Sequence, residues 1–209
     1  MRPEYRIYKA FYDAKRQLYF SEIKRFSKMS VSSLQNVLLR MEKQKEILRI
    51  KTIGNTYYRL IDAKKTAIIF SLIALDRFNA LNPQIRLPLE SLVSKSPDVF
   101  SILLFGSVSR QKESSQSDID LLIITHDFPD ILGVHMENIR KIFNKLNKDI
   151  SYSSVHPLSI SVINRSKLDS DDYLVEQAII TGFPIKNQQA YYEDYRILEK
   201  YGIIGYRDR

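Results

Sequence analysis

Asp118 and Asp120 stand one residue apart at the start of an apolar run, DIDLLIIT, within the stretch LLFGSVSRQKESSQSDIDLLIIT at residues 103–125. Residues i and i+2 of a strand share a face, so the two carboxylates point the same way. Like charges on one face repel unless something positive lies between them. The natural occupant is a hard divalent cation such as magnesium, which prefers oxygen ligands. Upstream, the β-rich run VFSILLFGS at 99–107 ends abruptly at Gly106. A glycine lets backbone approach a phosphate closely, Ser107 offers a hydroxyl donor, and a helix starting there aims its amides and positive end at an anion. The combination predicts a triphosphate and metal site, where phosphoryl chemistry asks the protein mainly for positioning and charge neutralisation. An Asp-x-Asp pair alone is common as a solvated strand end, so the weight rests on the whole string.

Presenting that string takes two strands, 99–107 and 118–125, joined by a short helical turn in VSRQKE and a polar loop, SSQS. Further on, the periodicity predicts a helix over Met136–Asn147, a strand over Leu158–Ile163 and a helix over Asp171–Thr181. Asp169, Asp171 and Asp172 read as its N-terminal cap, and Gly182 as its stop. Before the site, Ala63 to about Leu81 is apolar on nearly every side of a helix, through Ala67, Ile68, Ile69, Phe70, Leu72, Ile73, Leu75 and Phe78. Such a helix must be covered all round, by flanking domains or by its copy in a second subunit, and a homodimer is expected. Asn82-Pro83 ends it, and Pro83, Pro88 and Pro97 mark a boundary with one short helix around Leu87–Ser94.

Composition narrows the classes. The 209 residues are 44% hydrophobic and contain no cysteine, which excludes disulfides and thiolate zinc sites and suits a reducing cytoplasm. The charged start, with Arg2, Glu4 and Arg6, does not read as a secretory leader. The longest uncharged apolar stretch, TAIIFSLIAL, is half the roughly 20 residues a membrane crossing needs, so no membrane association is expected. The net charge of +8 divides unevenly: residues 1–62 hold 14 Lys and Arg against 6 Asp and Glu, and residues 63–209 hold 18 against 18. A localised basic field is the footprint of polyanion binding, although a lysine-rich solvated surface would carry the same count.

Within residues 1–62, Tyr5, Tyr8, Phe11 and Tyr12 have helical spacing, and Leu18–Phe20 reads as a short extended piece. Ser21 reads as the N-cap of SEIKRFSK. After a turn at Met29-Ser30, a helix from about Val31 to Gln44 puts Val31, Leu34, Val37, Leu38, Met41 and Ile47 on one face. ILRIKTIGNTYYRL then reads as two strands joined by Gly54-Asn55. This order resembles the winged helix-turn-helix domain over about residues 4–61. The resemblance implies duplex DNA as partner, a recognition helix in the major groove and a ribbon tip against the backbone. Ser32, Ser33, Gln35, Asn36, Arg40 and Asn55 are then the candidate nucleic-acid contacts. The same module also serves elsewhere for dimerisation or docking alone.

The string GSVSR, followed by SDIDLLI, resembles the DNA polymerase beta-like nucleotidyltransferase superfamily, in its small prokaryotic branch of minimal nucleotidyltransferases. The resemblance covers roughly residues 85–190 and is close over 106–124. It implies that Gly106 and Ser107 bind a nucleoside triphosphate, with ATP the expected one, and that Asp118 and Asp120 hold Mg2+ and carry catalysis. It further implies that Arg110 orients the loop or a phosphate, where an ion pair is the alternative, and that Ser117 caps the loop ahead of the aspartates. The implied fold is a small mixed sheet with helices packed against it, closed by a short helix and strand in EQAIITGFPI.

One element of that pattern is missing. Active relatives carry a third carboxylate on a following strand, and in LSISVI the corresponding position falls near Ser159 or Ser161. A different register would offer Asp149, at the head of DISYSSV. Without a third acid, general-base assistance is weakened by about 10² to 10⁴. His126, His135 and His156 are too scattered for a metal cluster and read as surface or loop residues, and the tail's Tyr191, Tyr192, Tyr195 and Leu198 read as a packing helix. The expectation is an α+β protein: a winged helix domain (1–62), a linker or dimerisation helix (63–84) and a nucleotidyltransferase-like domain (85–209). It either transfers nucleoside monophosphate to a hydroxyl or senses nucleotide as a DNA-binding regulator. A toxin or antitoxin partner protein is a third setting.

Overall fold

The computed structural model describes residues 2–110, 117–127, 134–151 and 155–203, and the chain divides into two compact units, residues 1–73 with 192–209 and residues 74–191. In the first unit, helix α1 (Pro3–Ala14) starts with proline at its first position and ends at Lys15, whose left-handed backbone donates its N–H to the Phe11 carbonyl. It buries Ile7, Tyr8, Phe11 and Tyr12. Strand β1 (Leu18–Tyr19) leads directly into α2 (Phe20–Ser27). Ser21 is not the cap: the helix starts a residue earlier, and Glu22 reaches back to accept the Tyr19 N–H at 3.1 Å. Arg16 steadies that carboxylate through 2.6 and 3.1 Å contacts.

Helix α3 (Val31–Lys43) is capped by Ser30, whose hydroxyl accepts the Ser33 N–H. Leu34, Val37, Leu38 and Met41 are buried as the spacing predicts, whereas Val31, in the first turn, is exposed. Ile47 belongs to the next element, β2 (Ile47–Thr52), which pairs antiparallel with β3 (Asn55–Leu60). Because Thr52 pairs with Asn55, the turn residues are Ile53-Gly54 rather than Gly54-Asn55, and Gly54 supplies the positive φ of 83°. The sheet order is β1-β3-β2. Glu46 is buried, accepts a hydrogen bond from Tyr8 Oη at 3.2 Å and pairs with Lys65.

Lys65 lies in the first turn of α4 (Ala63–Asn79). Within one chain this helix is covered on one side: Ala67, Phe70, Ile73, Ala74 and Phe78 are buried, while Ile68, Leu72 and Leu75 form an exposed stripe at i, i+4, i+7. Helix α5 (Pro83–Lys95) is longer than its prolines suggest. Asn82 caps it by accepting the Gln84 N–H at 3.0 Å, and Pro83 takes the first position. With its start so fixed, the helix absorbs the one ladder bond lost at the buried Pro88.

The second unit carries a mixed four-stranded sheet of order β6-β5-β4-β7. Strands β4 (Ser101–Phe105) and β5 (Ile119–Thr125) are antiparallel, β5 and β6 (Leu158–Asn164) parallel, and β4 and β7 (Phe183–Lys186) antiparallel. Leu103, Leu104, Leu121, Leu122, Ile123 and Ile124 are fully buried, as continuous apolar runs in central strands require. One turn of helix, α6 (Gly106–Ser109), follows β4; α7 (Val134–Ser151) precedes β6; and α8 (Tyr173–Thr181) precedes β7. Asp172 caps α8, accepting the Leu174 N–H at 2.8 Å. Residues 111–116, expected to finish the helical turn and form the polar loop, lie outside the described residues. The chain closes with α9 (Gln188–Glu193) and α10 (Tyr195–Lys200), and from Tyr192 onward it groups with the first unit. There Tyr192 stacks edge-on with Tyr12 and Phe70 at 6.1 and 5.5 Å. The fold is thus α+β with one mixed sheet, and no described helix is long and apolar enough to cross a membrane.

Candidate functional site

The antiparallel register sets Phe105 opposite Asp120, which brings the end of β4 against the start of β5. Gly106 follows with φ of 75°, a conformation that a side chain resists. Space excludes one as well: a Cβ at Gly106 would overlap Asp120 Oδ2 and stand 3.1 Å from its Cγ. The carboxylate therefore lies directly against bare backbone. The turn behind it is fixed from three sides. The buried Ser109 hydroxyl shares its proton between the Gly106 and Thr181 carbonyls, at 2.9 and 3.0 Å. Arg77 donates to the Ser109 carbonyl at 2.7 Å while lying over the Phe183 ring. Gly182 lets β7 close in, since a Cβ there would come 2.8 Å from the Leu104 carbonyl and 2.9 Å from Phe105 Cβ.

Asp118 is exposed just ahead of β5, and Asp120 is half-buried within it. Burial pushes the Asp120 carboxyl above the usual range, and the neighbouring Asp118 charge pushes it further, while Arg110 and a hydrogen bond from Ser159 pull it down. The two aspartates thus act on one another, as their spacing predicts. Arg110 is exposed at the end of α6 and close enough to act on Asp120, and its N–H donates to the Ser107 carbonyl at 3.1 Å. Ser117 meets a partner that sequence reading passed over. His156 lies in the loop before β6, as expected, but is buried there rather than on the surface, and its Nδ1 donates to the Ser117 carbonyl at 2.9 Å. With Ile119 N–H donating to the Pro157 carbonyl at 2.9 Å, the segment before β6 holds both ends of the Ser117–Ile119 stretch.

The parallel register pairs Asp120 with Ser159 and Leu122 with Ser161. Ser159 therefore stands beside Asp120 where a third acid is expected, and it donates a hydrogen bond to that carboxylate. Asp149 lies in the last turn of α7 and not on a strand. Among the described residues, no group of three or more acidic or histidine side chains could hold a metal. The donor set is two carboxylates beside a glycine cradle. That set fits a magnesium-type cation arriving with a polyphosphate, because such ions are held by one or two carboxylates with phosphate and water oxygens completing the shell.

The candidate nucleic-acid residues lie in the other unit. Ser32, Ser33, Gln35, Asn36 and Arg40 are exposed on α3, and Asn55 is exposed beside the ribbon turn. Arg40 is paired with Glu4 of α1. Gln35 and Asn36 line a cavity of ≈ 400 Å³ together with Arg49, Thr56 and Tyr58 of the ribbon. Helix face and ribbon therefore border one groove.

Residues 88–190 match the family described as "Polymerase beta, Nucleotidyltransferase". The matched segment contains the Gly106 turn, both aspartates, His156 and Ser159, and leaves residues 1–87 unmatched. Comparison with curated proteins and with solved structures gives no match.

Proposed function

We propose that residues 88–190 bind a nucleoside triphosphate with a divalent cation at the Gly106 turn and transfer its nucleoside monophosphate to a hydroxyl acceptor. The observation that carries this reading is the abutment of Asp120 on the bare backbone of Gly106, with Asp118 on the same edge. Asp118 and Asp120 would hold Mg2+; once bound, that ion neutralises triphosphate charge and activates the α-phosphorus. Gly106 and Ser107 would seat the phosphates, with ATP the first nucleotide to test. Arg110 adds positive charge at the same edge, and Ser117, tied by its carbonyl to His156, holds Asp118 in place. In the transfer the acceptor oxygen bonds to the α-phosphorus, the bond to the β-phosphate breaks, and pyrophosphate leaves. The acceptor proton passes to water, because Ser159 rather than a carboxylate stands beside Asp120.

Incubating the protein with Mg2+ and each of four α-labelled nucleotides tests this. Label should appear in an acceptor or in the protein itself and vanish with Asp120→Ala. Ser159 also supports a second reading, a regulator whose second unit binds nucleotide without turnover. Under that reading calorimetry detects ATP with Mg2+, while no label moves.

Residues 1–62 we read as a winged helix that binds duplex DNA. The support is the order of α1, β1, α2, α3 and the β2–β3 ribbon, the charge of +8 over these residues, and exposed Ser32, Ser33, Gln35, Asn36 and Asn55. Arg40 serves better as a brace to Glu4 than as a base reader. The apolar stripe Ile68, Leu72, Leu75 suits pairing with a second copy of the chain. A cytoplasmic setting and a toxin or antitoxin partner belong to this reading too.

A further inference from the structure

The ribbon turn carries an unusual residue. Ile53 is 104% exposed, the highest value among the exposed large apolar side chains, and it occupies the tip where polar turn residues are the norm. The tip is braced: Thr52 Oγ1 donates to the Asn55 carbonyl at 3.2 Å, Gly54 takes the left-handed conformation, and Thr52 pairs with Asn55 across the strands. A β-branched side chain on a braced tip is held out at little entropic cost. Arg49 and Lys51 precede it at two-residue spacing, both exposed, so that the charged face of β2 runs toward Ile53. Arg49 also lines the groove that Gln35 and Asn36 of α3 border, making the helix face and this ribbon face one continuous surface. From Arg49 to Ile53 a strand advances about 13 Å, comparable to the major groove's width of about 12 Å. With α3 seated in a major groove, a ribbon of that reach would carry its tip past the flanking phosphates toward the adjacent minor groove.

We propose that Ile53 is a wedge that enters the minor groove of duplex DNA and partly unstacks one base step, with Lys51 and Arg49 bound to the phosphates beside it. This rests on the DNA-binding reading of residues 1–62 and adds to it a deformation of the duplex. Apolar wedges of this kind kink DNA by about 20–90° and favour flexible pyrimidine–purine steps. Ile53 has no share in the core, so replacing it leaves folding intact.

The test uses the full chain, duplexes carrying fluorescent end labels for bend angle, and 2-aminopurine at a central TA step for unstacking. Wild type should shorten the end-to-end distance and brighten 2-aminopurine. Ile53→Ala and Ile53→Asn should lose both signals while binding weakens only about three- to tenfold, since lost apolar contact is partly offset by the stacking regained. Lys51→Ala should instead weaken binding on all sequences and flatten the salt dependence by about one phosphate's worth. Binding by wild type without bending or brightening, or bending that survives Ile53→Ala, overturns the wedge and leaves the DNA-binding reading standing. Absence of duplex binding at low salt overturns both. Ile53-dependent binding to lipid vesicles or a protein partner, with no effect on DNA, assigns the tip elsewhere and overturns the proposal.

Discussion

Asp120 couples the chemistry of the second unit to its stability. Its carboxyl is held above the ordinary value of 3.8 by burial and by Asp118. An acid whose folded value is raised binds its proton more tightly folded than unfolded. Its ionised form then destabilises the fold above the folded value, and that penalty fades as pH falls toward 3.8. Without divalent cations, Asp120→Asn should therefore raise the melting temperature at pH 7, and the gain should shrink as pH falls toward 3.8. Under the proposed transfer reaction, the same substitution should abolish nucleotide labelling. Ser159 allows the reciprocal test: Ser159→Asp adds a third acid beside Asp120, so it should lower apo stability, tighten Mg2+ in calorimetry and raise transfer by up to about 10². No change in metal affinity would show that position 159 does not face the ion. These residues were legible to different degrees. Asp118, Asp120 and Gly106 stood out by residue type and spacing, and the strand register brings Asp120 against Gly106. His156 did not, because its role is a single bond to a backbone carbonyl, which leaves no trace in local pattern.

At the scale of elements, the turn after β4 is held by neighbours distant in sequence. Ser109→Ala removes the hydroxyl that ties Gly106 to Thr181, and should cost about 1–2 kcal/mol of stability, read as a lower denaturation midpoint. Gly182→Ala should cost more, because its Cβ meets backbone that cannot give way. Periodicity read α3 and β6 to within a residue, since each has one clean buried face or a β-rich run bounded by turns. It failed at α2, where the cap is an acid reaching back rather than a serine reaching forward. Counting prolines failed at α5, because Pro83 starts the helix and Pro88 is tolerated within it. The all-round apolar pattern of α4 implied cover by flanking domains or by a second copy, and a single chain covers one side of it, leaving Ile68, Leu72 and Leu75 for the proposed second copy. Leu72→Glu should turn a dimer into a monomer in sedimentation; if wild type already sediments as a monomer, the stripe does not pair copies.

At the scale of the molecule, charge is divided along the chain. Residues 1–62 carry the whole excess of +8 and the remainder is neutral, so duplex affinity should fall steeply with salt and be insensitive to Asp118→Ala. Sequence gave that division plainly, because charge counts need no fold. What it could not give was the destination of the last residues. Tyr192 meets Tyr12 at a ring distance of 6.1 Å and Lys15 lies over Tyr201, contacts between segments almost a full chain length apart. Residues 74–191 are in effect an insertion within the first unit. During synthesis the aromatic cluster around Tyr12 and Phe70 must wait for Tyr192 to leave the ribosome, long after residues 74–191 could have folded. A nascent chain stalled before that point holds residues 74–191 entire while the first unit still lacks its closing aromatic, so completion of the first unit depends on synthesis through Tyr192.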